Sequence, residues 1–107
     1  MEFDSLKKQI KSVDLDTLRN DEDEYFEAVI RKSNLSNVLK VLEANFGAAA
    51  WPSSTKLSKS AETIINNFGG IRKGQTLYFS QGQERAIFAM LWPWQDDERV
   101  TIKMGKG

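Results

Sequence analysis

Apolar side chains recur at helical spacing through the first two thirds of the chain. Spacings of three and four residues place such side chains on one side of a helix. Four segments have this pattern and predict four helices, built on Leu6, Ile10 and Val13; on Tyr25, Phe26, Val29 and Ile30; on Leu35, Val38, Leu39, Leu42 and Phe46; and on Leu57, Ala61, Ile64, Ile65 and Phe68.

Residues typical of helix ends flank several of these segments. The acidic run from Asp21 to Glu24 would face the positive end of the second helix dipole. Asn34 can cap the third helix, and Gly47 can end it in a left-handed conformation. The stretch from Ala48 to Ser54 is predicted to be a connector whose serines can cap the fourth helix, which ends before Gly69-Gly70.

The spacing of apolar residues changes to two after Gly74, which is typical of strands. The segments Gln75 to Ser80 and Glu84 to Trp92 are predicted to form a hairpin through Gln81-Gly82-Gln83, and a third strand follows with Val100, Ile102 and Met104. The sequence therefore predicts an α+β fold with about four N-terminal helices followed by a three-stranded antiparallel β-meander.

The middle predicted strand is apolar on both faces. One face carries Ile87, Ala89 and Leu91, and the other carries Ala86, Phe88, Met90 and Trp92. An antiparallel sheet usually leaves one face to water. We therefore expect either helices on both sides of the sheet or a partner chain on one side, and the second arrangement predicts a homodimer.

The length and composition predict one soluble domain spanning residues 1–107, with flexible ends at residues 1–4 and 105–107. No apolar run is long enough to cross a bilayer, and the opening residues lack the basic start of a secretory signal. The chain has no cysteine, which fits a reducing compartment. We expect a cytoplasmic protein with no membrane association.

Fifteen basic and fifteen acidic residues cancel over the whole chain. This balance argues against a nucleic-acid or membrane binder that depends on bulk charge. The charges are unevenly distributed, because residues 31–80 contain seven basic and two acidic residues. The middle of the chain is therefore moderately basic.

The absence of histidine and cysteine excludes the usual nucleophilic triads and the usual structural zinc sites. Asp14 and Asp16 begin like a calcium loop, but Leu18 and Arg19 occupy positions where an oxygen ligand and a glycine are needed. Chemistry by carboxylates or a lysine stays open, but no motif points to it. The sequence favours a non-enzymatic role and predicts no catalytic residue, no cofactor and no metal site.

The segment Gly69 to Gln75 combines glycines with two cations, so it can offer backbone N–H groups and positive charge to an anion. A helix stop followed by a turn explains the same residues. Trp94 lies beyond Pro93, where partial exposure is expected. The candidate contacts for a ligand or partner are Gly70, Arg72, Lys73, Gln75 and Trp94.

We expect a small non-catalytic interaction or accessory module that binds either a protein partner or, through its sheet, a second copy of itself. The alternative is a winged-helix-like nucleic-acid-binding domain, because helices precede a β-hairpin. In that alternative the helix from about Lys56 to Phe68 reads the nucleic acid through its outward residues, which are Lys56, Lys59, Ser60, Thr63, Asn66 and Asn67.

Overall fold

A computed structural model describes residues 1–53, 56–81 and 85–107. Within these ranges the chain forms three α-helices, a short 3₁₀ turn at Lys32–Asn34 and five strands. The helices are α1 (Phe3–Lys11), α2 (Leu35–Phe46) and α3 (Lys59–Asn66). The strands are β1 (Thr17–Asp21), β2 (Tyr25–Arg31), β3 (Thr76–Gln81), β4 (Ala86–Pro93) and β5 (Arg99–Lys106).

The five strands form one antiparallel sheet in the order β1-β2-β5-β4-β3. The strand that comes last in the chain, β5, lies in the middle of this sheet. It pairs with β2 on one side, where Ala28 lies opposite Ile102, and with β4 on the other, where Ala89 lies opposite Met104. The hairpins β1–β2 and β3–β4 are therefore joined through β5.

Helices cover both faces of β4. On one face, Ala89 and Leu91 pack in a core cluster with buried residues of α1 and α2, such as Leu6 and Leu42. On the other face, Phe88 and Met90 pack with Ile65 of α3. Because alternate residues of a strand point to opposite faces, α3 lies on the side of the sheet opposite to α1 and α2.

The α+β class is confirmed, but the arrangement of about four helices and a three-stranded meander is wrong. The segment predicted as a second helix forms β2, which pairs with β1 as a hairpin, and the acidic run contributes the turn of this hairpin instead of a helix start. Phe26, Ala28 and Ile30 alternate into the core, and β2 pairs with strands on both sides. The apolar spacing in this segment fits either structure, and the pairing with β5 favours the strand.

The other predicted helices are present, with shifts at their ends. The third is confirmed at Leu35–Phe46, and Gly47 ends it at a φ of 78°. The fourth is shorter than expected and starts after Ser58, whose hydroxyl accepts a hydrogen bond from the Ala61 N–H at 3.2 Å. Ser58 is thus the cap of α3.

The three predicted strands correspond to β3, β4 and β5. Gly82 and Gln83 of the predicted hairpin connection, Glu84 of the predicted second strand and Ser54 of the predicted connector lie outside the described residues. At the end of the chain, the N–H of Gly107 donates to the Ala86 carbonyl at 2.9 Å. The flexibility of residues 1–4 and 105–107 stays a prediction.

None of the helices in the described part of the chain is long and apolar enough to cross a membrane.

Candidate binding cleft

The first wall of the candidate cleft begins at the free edge of β3. Trp51 and Leu77 exchange backbone hydrogen bonds there: the Leu77 N–H donates to the Trp51 carbonyl at 2.8 Å, and the Trp51 N–H donates back at 3.2 Å. This bridge fixes the Trp51 backbone beside the second core cluster, which is formed by Ile65, Leu77, Phe88 and Met90. The Trp51 side chain packs against this cluster and is only partly buried.

The second wall is one side of α3. Ala61 and Ile65 are buried beneath the helix. At about 100° per residue, this orientation places Glu62 and Asn66 on one side of the helix and Asn67 on the other side. Glu62 and Asn66 are exposed and line the cleft.

Between these walls lies an open cleft of about 460 Å³. Its lining includes Trp51, Leu57 and Ile71, which are partly exposed, and Ile65, which is buried. These four side chains give the cleft an apolar floor. The polar residues of its lining are Ser53, Lys56, Glu62 and Asn66.

The glycines of the Gly69–Gln75 segment serve the turn after α3. Gly69, Gly70 and Gly74 have φ values of 102°, 74° and 89°, a region that favours glycine. A Cβ on Gly69 would lie 3.0 Å from the Trp92 ring. The Gly70 N–H donates to the Ile65 carbonyl at 3.0 Å, so this donor is used to end the helix.

Gln75 closes the loop that carries Arg72 and Lys73. Its side-chain oxygen accepts the Arg72 N–H at 2.8 Å, and its own N–H donates to the Arg72 carbonyl at 3.0 Å. Arg72 and Lys73 are exposed and follow Ile71 of the cleft floor. Gln75 therefore positions the backbone of the loop, while the two cations are accessible to a ligand.

Trp94 is placed away from these residues. Its indole N–H donates to the Thr101 hydroxyl at 2.8 Å, and the guanidinium carbons of Arg19 and Arg99 lie 5.6 and 5.4 Å from its ring centroid. It thus packs against β5 and the β1 edge, whereas Arg72 precedes β3 at the opposite edge. The structure does not bring Trp94 into the cleft.

The residues proposed to read nucleic acid are all exposed. Two of them, Lys56 and Asn66, line the cleft, and the remaining four do not: Lys59, Ser60, Thr63 and Asn67. A winged helix packs its reading helix against a preceding helix. Here α2 and α3 lie on opposite faces of the sheet, so that helix pair is not formed.

Sequence reasoning missed the floor of the cleft. Trp51 and Leu57 lie between α2 and α3 and Ile71 lies after α3, so they line one cleft only in the folded chain. The single signal was a tryptophan followed by proline in an alanine-rich connector, which also fits a residue that only covers the core. Nothing in the sequence connected it with Arg72.

The acidic run forms ion pairs with neighbouring basic residues. Hydrogen bonds from Lys11 and Lys7 hold the pKa of Asp21 below its ordinary value. Arg85 likewise lowers the pKa of Glu24 through a hydrogen bond and its positive charge. No group of three or more potential metal-ligating Asp or Glu side chains is found in residues 1–53, 56–81 and 85–107.

The chain matches no protein-family model, and no curated protein or solved structure is significantly similar to it.

Proposed function

We propose that this domain is a non-catalytic binding module that holds a segment of a partner protein in the cleft beside α3. The observation that carries the proposal is the opening in the second core cluster, where Trp51, Leu57 and Ile71 stay partly exposed. Concave sites with an apolar floor and a few polar groups are the usual form of a ligand site. A protein segment can place an apolar side chain on this floor.

The polar lining favours binding over catalysis. Glu62 is the one carboxylate among the described residues that line the cleft, and it is exposed. Catalytic acids and bases usually lie in sites where burial and nearby charges shift their pKa. The cleft offers an exposed carboxylate, an exposed lysine and an amide, which suit hydrogen bonding to a bound chain.

Self-association through the sheet has less support than partner binding. The apolar face of β4 that suggested a dimer packs against α3 of the same chain. A second copy would have to displace this helix to reach Phe88 and Met90. The proposal therefore places the partner at the side of α3.

Selection of binders from a random peptide library displayed on phage tests this function. Asn66→Trp would fill the cleft from its exposed wall, and Asn67→Trp is the matched control on the other side of α3. We expect peptides that bind the wild-type domain and the Asn67→Trp variant but lose binding to Asn66→Trp. Enrichment of no peptide, or equal binding to both variants, would refute the proposal.

A further inference from the structure

The chain segment that contributes most of the cleft lining is rich in cations. Residues 56–81 contain four cations and one carboxylate, Glu62. We call the four cations the cationic rim: Lys56, Lys59, Arg72 and Lys73. All four are exposed. This part of the chain carries a net charge of +3, although the whole chain is neutral.

The cationic rim is not neutralised within the described residues. The ion pairs between described residues all use basic residues outside the rim, which are Lys7, Lys11, Arg19, Arg31, Lys32, Arg85 and Arg99. Those seven cations contact carboxylates on the strands, α1 and the turns. The rim therefore keeps its positive charge available for a ligand.

The cations of the rim come from three parts of the chain: the segment before α3, α3 itself and the loop after it. Lys56 lines the cleft from the segment before α3. Arg72 and Lys73 follow Ile71 on the loop that Gln75 closes. Lys59 lies on the same side of α3 as Asn66 by helical geometry. A chain lying over Ile71 and Leu57 would therefore lie close to positive charges, because Lys56 and Arg72 are the neighbours of these residues in the chain.

We infer that the cleft selects an acidic segment of a protein partner that carries one large apolar side chain. The apolar side chain packs against Trp51, Leu57 and Ile71, and carboxylates on either side of it bind the cationic rim. This inference rests on the proposed function and adds the chemical class of the ligand. Complementary charge mainly sets which partner binds and how fast it associates.

The same observations disfavour a nucleic acid. Affinity for a phosphate backbone grows with the number of cations that contact it, and here only four flank a short cleft. Another open depression of the surface is acidic, because Glu22, Asp23 and Glu24 line it. Among the described residues of the floor Trp51 is the one aromatic side chain, so the floor lacks the row of aromatic faces on which bases stack.

Titration of the ¹⁵N-labelled domain with defined probes tests the inference. The probes are the acidic peptide EDELDE, its amide counterpart QNQLNQ, the basic peptide KRKLKR and a deoxythymidine dodecamer. We expect shifts of the cleft resonances with EDELDE at low salt, binding about tenfold weaker for QNQLNQ, and none for KRKLKR. High salt should weaken the binding of EDELDE.

The double variant Lys56→Glu/Arg72→Glu should reverse this preference, so that KRKLKR binds and EDELDE does not. Lys8→Glu/Lys40→Glu is the matched control, because it makes the same charge change at exposed positions of α1 and α2. It should leave the preference for EDELDE unchanged. Dispersed amide spectra of both variants would establish that they are folded.

Several results would overturn the inference. Equal binding of QNQLNQ would contradict the selection of acidic ligands, while leaving the proposed function intact. If no peptide shifts the cleft resonances, the acidic segment is refuted, and the phage selection still decides whether the cleft binds peptides of another kind. Tighter binding of the dodecamer than of EDELDE would identify a nucleic-acid site instead.

Discussion

Gly105 of β5 lies opposite Phe88 of β4, and the Phe88 ring occupies the space where a side chain at position 105 would begin. A Cβ on Gly105 would lie 2.8 Å from Cζ of Phe88 and 3.3 Å from the Glu24 carbonyl oxygen. Phe88 is fully buried and also contacts the Phe68 ring, at a centroid distance of 4.7 Å. The glycine therefore makes room for an aromatic side chain on the next strand.

We expect Gly105→Ala to lower the free energy of unfolding by about 1–3 kcal/mol, because the added methyl group overpacks a filled site. Urea denaturation measures this change. The same substitution in a Phe88→Leu background should cost less, since the ring that causes the clash is gone. Equal costs in the two backgrounds would contradict the proposed contact.

Lys7 ties α1 to the turn between β1 and β2. Its ammonium donates to Asp21 Oδ1 at 3.0 Å and to the Glu22 carbonyl at 2.7 Å, and the residue is only 9% exposed. Replacement by Met keeps the apolar stem and removes both bonds. We expect Lys7→Met to cost about 1–2 kcal/mol of stability, measured by urea denaturation.

Lys8→Met is the control for this prediction, because Lys8 is the exposed neighbour on the same helix. Its cost should stay within about 0.5 kcal/mol. If the two variants lose the same free energy of unfolding, the hydrogen bonds of Lys7 contribute no more to stability than the side chain of an exposed lysine does.

The pairing of Asp21 predicts a dependence of stability on pH. Its pKa is lower in the folded chain than in the unfolded chain, because Lys11 and Lys7 favour the charged carboxylate. The resulting stabilisation is present above the unfolded pKa of about 3.9 and is lost as the pH falls through the folded value. We expect Asp21→Asn to be less stable than wild type near neutrality, and the difference to shrink below about pH 4.

Urea denaturation of both proteins at several pH values measures this convergence. A stability difference that stays constant from neutral to acid pH would show that Asp21 acts through its shape and not through its charge.

Both tyrosines of the chain should resist titration while it is folded. Burial raises the pKa of Tyr25. The Glu27 carboxylate raises it further, because its Oε1 accepts a hydrogen bond from the Tyr25 hydroxyl at 2.6 Å. Burial also raises the pKa of Tyr78, with a further effect from the Glu43 carboxylate. Because the unfolded pKa is about 10, the fold loses stability as the pH rises above that value.

We therefore expect the absorbance of the phenolate to appear together with unfolding during an alkaline titration. Circular dichroism on the same samples follows the fold. Reversible ionisation of one tyrosine near its ordinary pKa, with the dichroism unchanged, would contradict the environment assigned to that residue.

Local signals were sufficient to predict α2 and the strands β3 to β5. The stripe from Leu35 to Phe46 has one consistent period and ends at a glycine, so neighbouring residues determine its structure. The alternation of Val100, Ile102 and Met104 does the same for β5. Both segments have a single pattern that only one kind of element satisfies.

Non-local contacts explain what could not be predicted. Tyr25, Phe26, Val29 and Ile30 fit a helix as well as a strand, and the decisive partner of β2 is β5, far away in the sequence. The cleft could not be predicted for the same reason, because Trp51 and Ile71 are distant in the sequence and line one cleft only in the folded chain. Arg72 and Lys73 were identified because their exposure depends on the local turn.

The central position of β5 has a consequence for how the protein is made. The hairpins β1–β2 and β3–β4 leave the ribosome before residues 99–106, and neither hairpin pairs with the other directly. Their facing edges stay without hydrogen-bond partners until β5 has been synthesised and inserted between them. The complete sheet thus forms after translation of its last strand, and not progressively from the N-terminus.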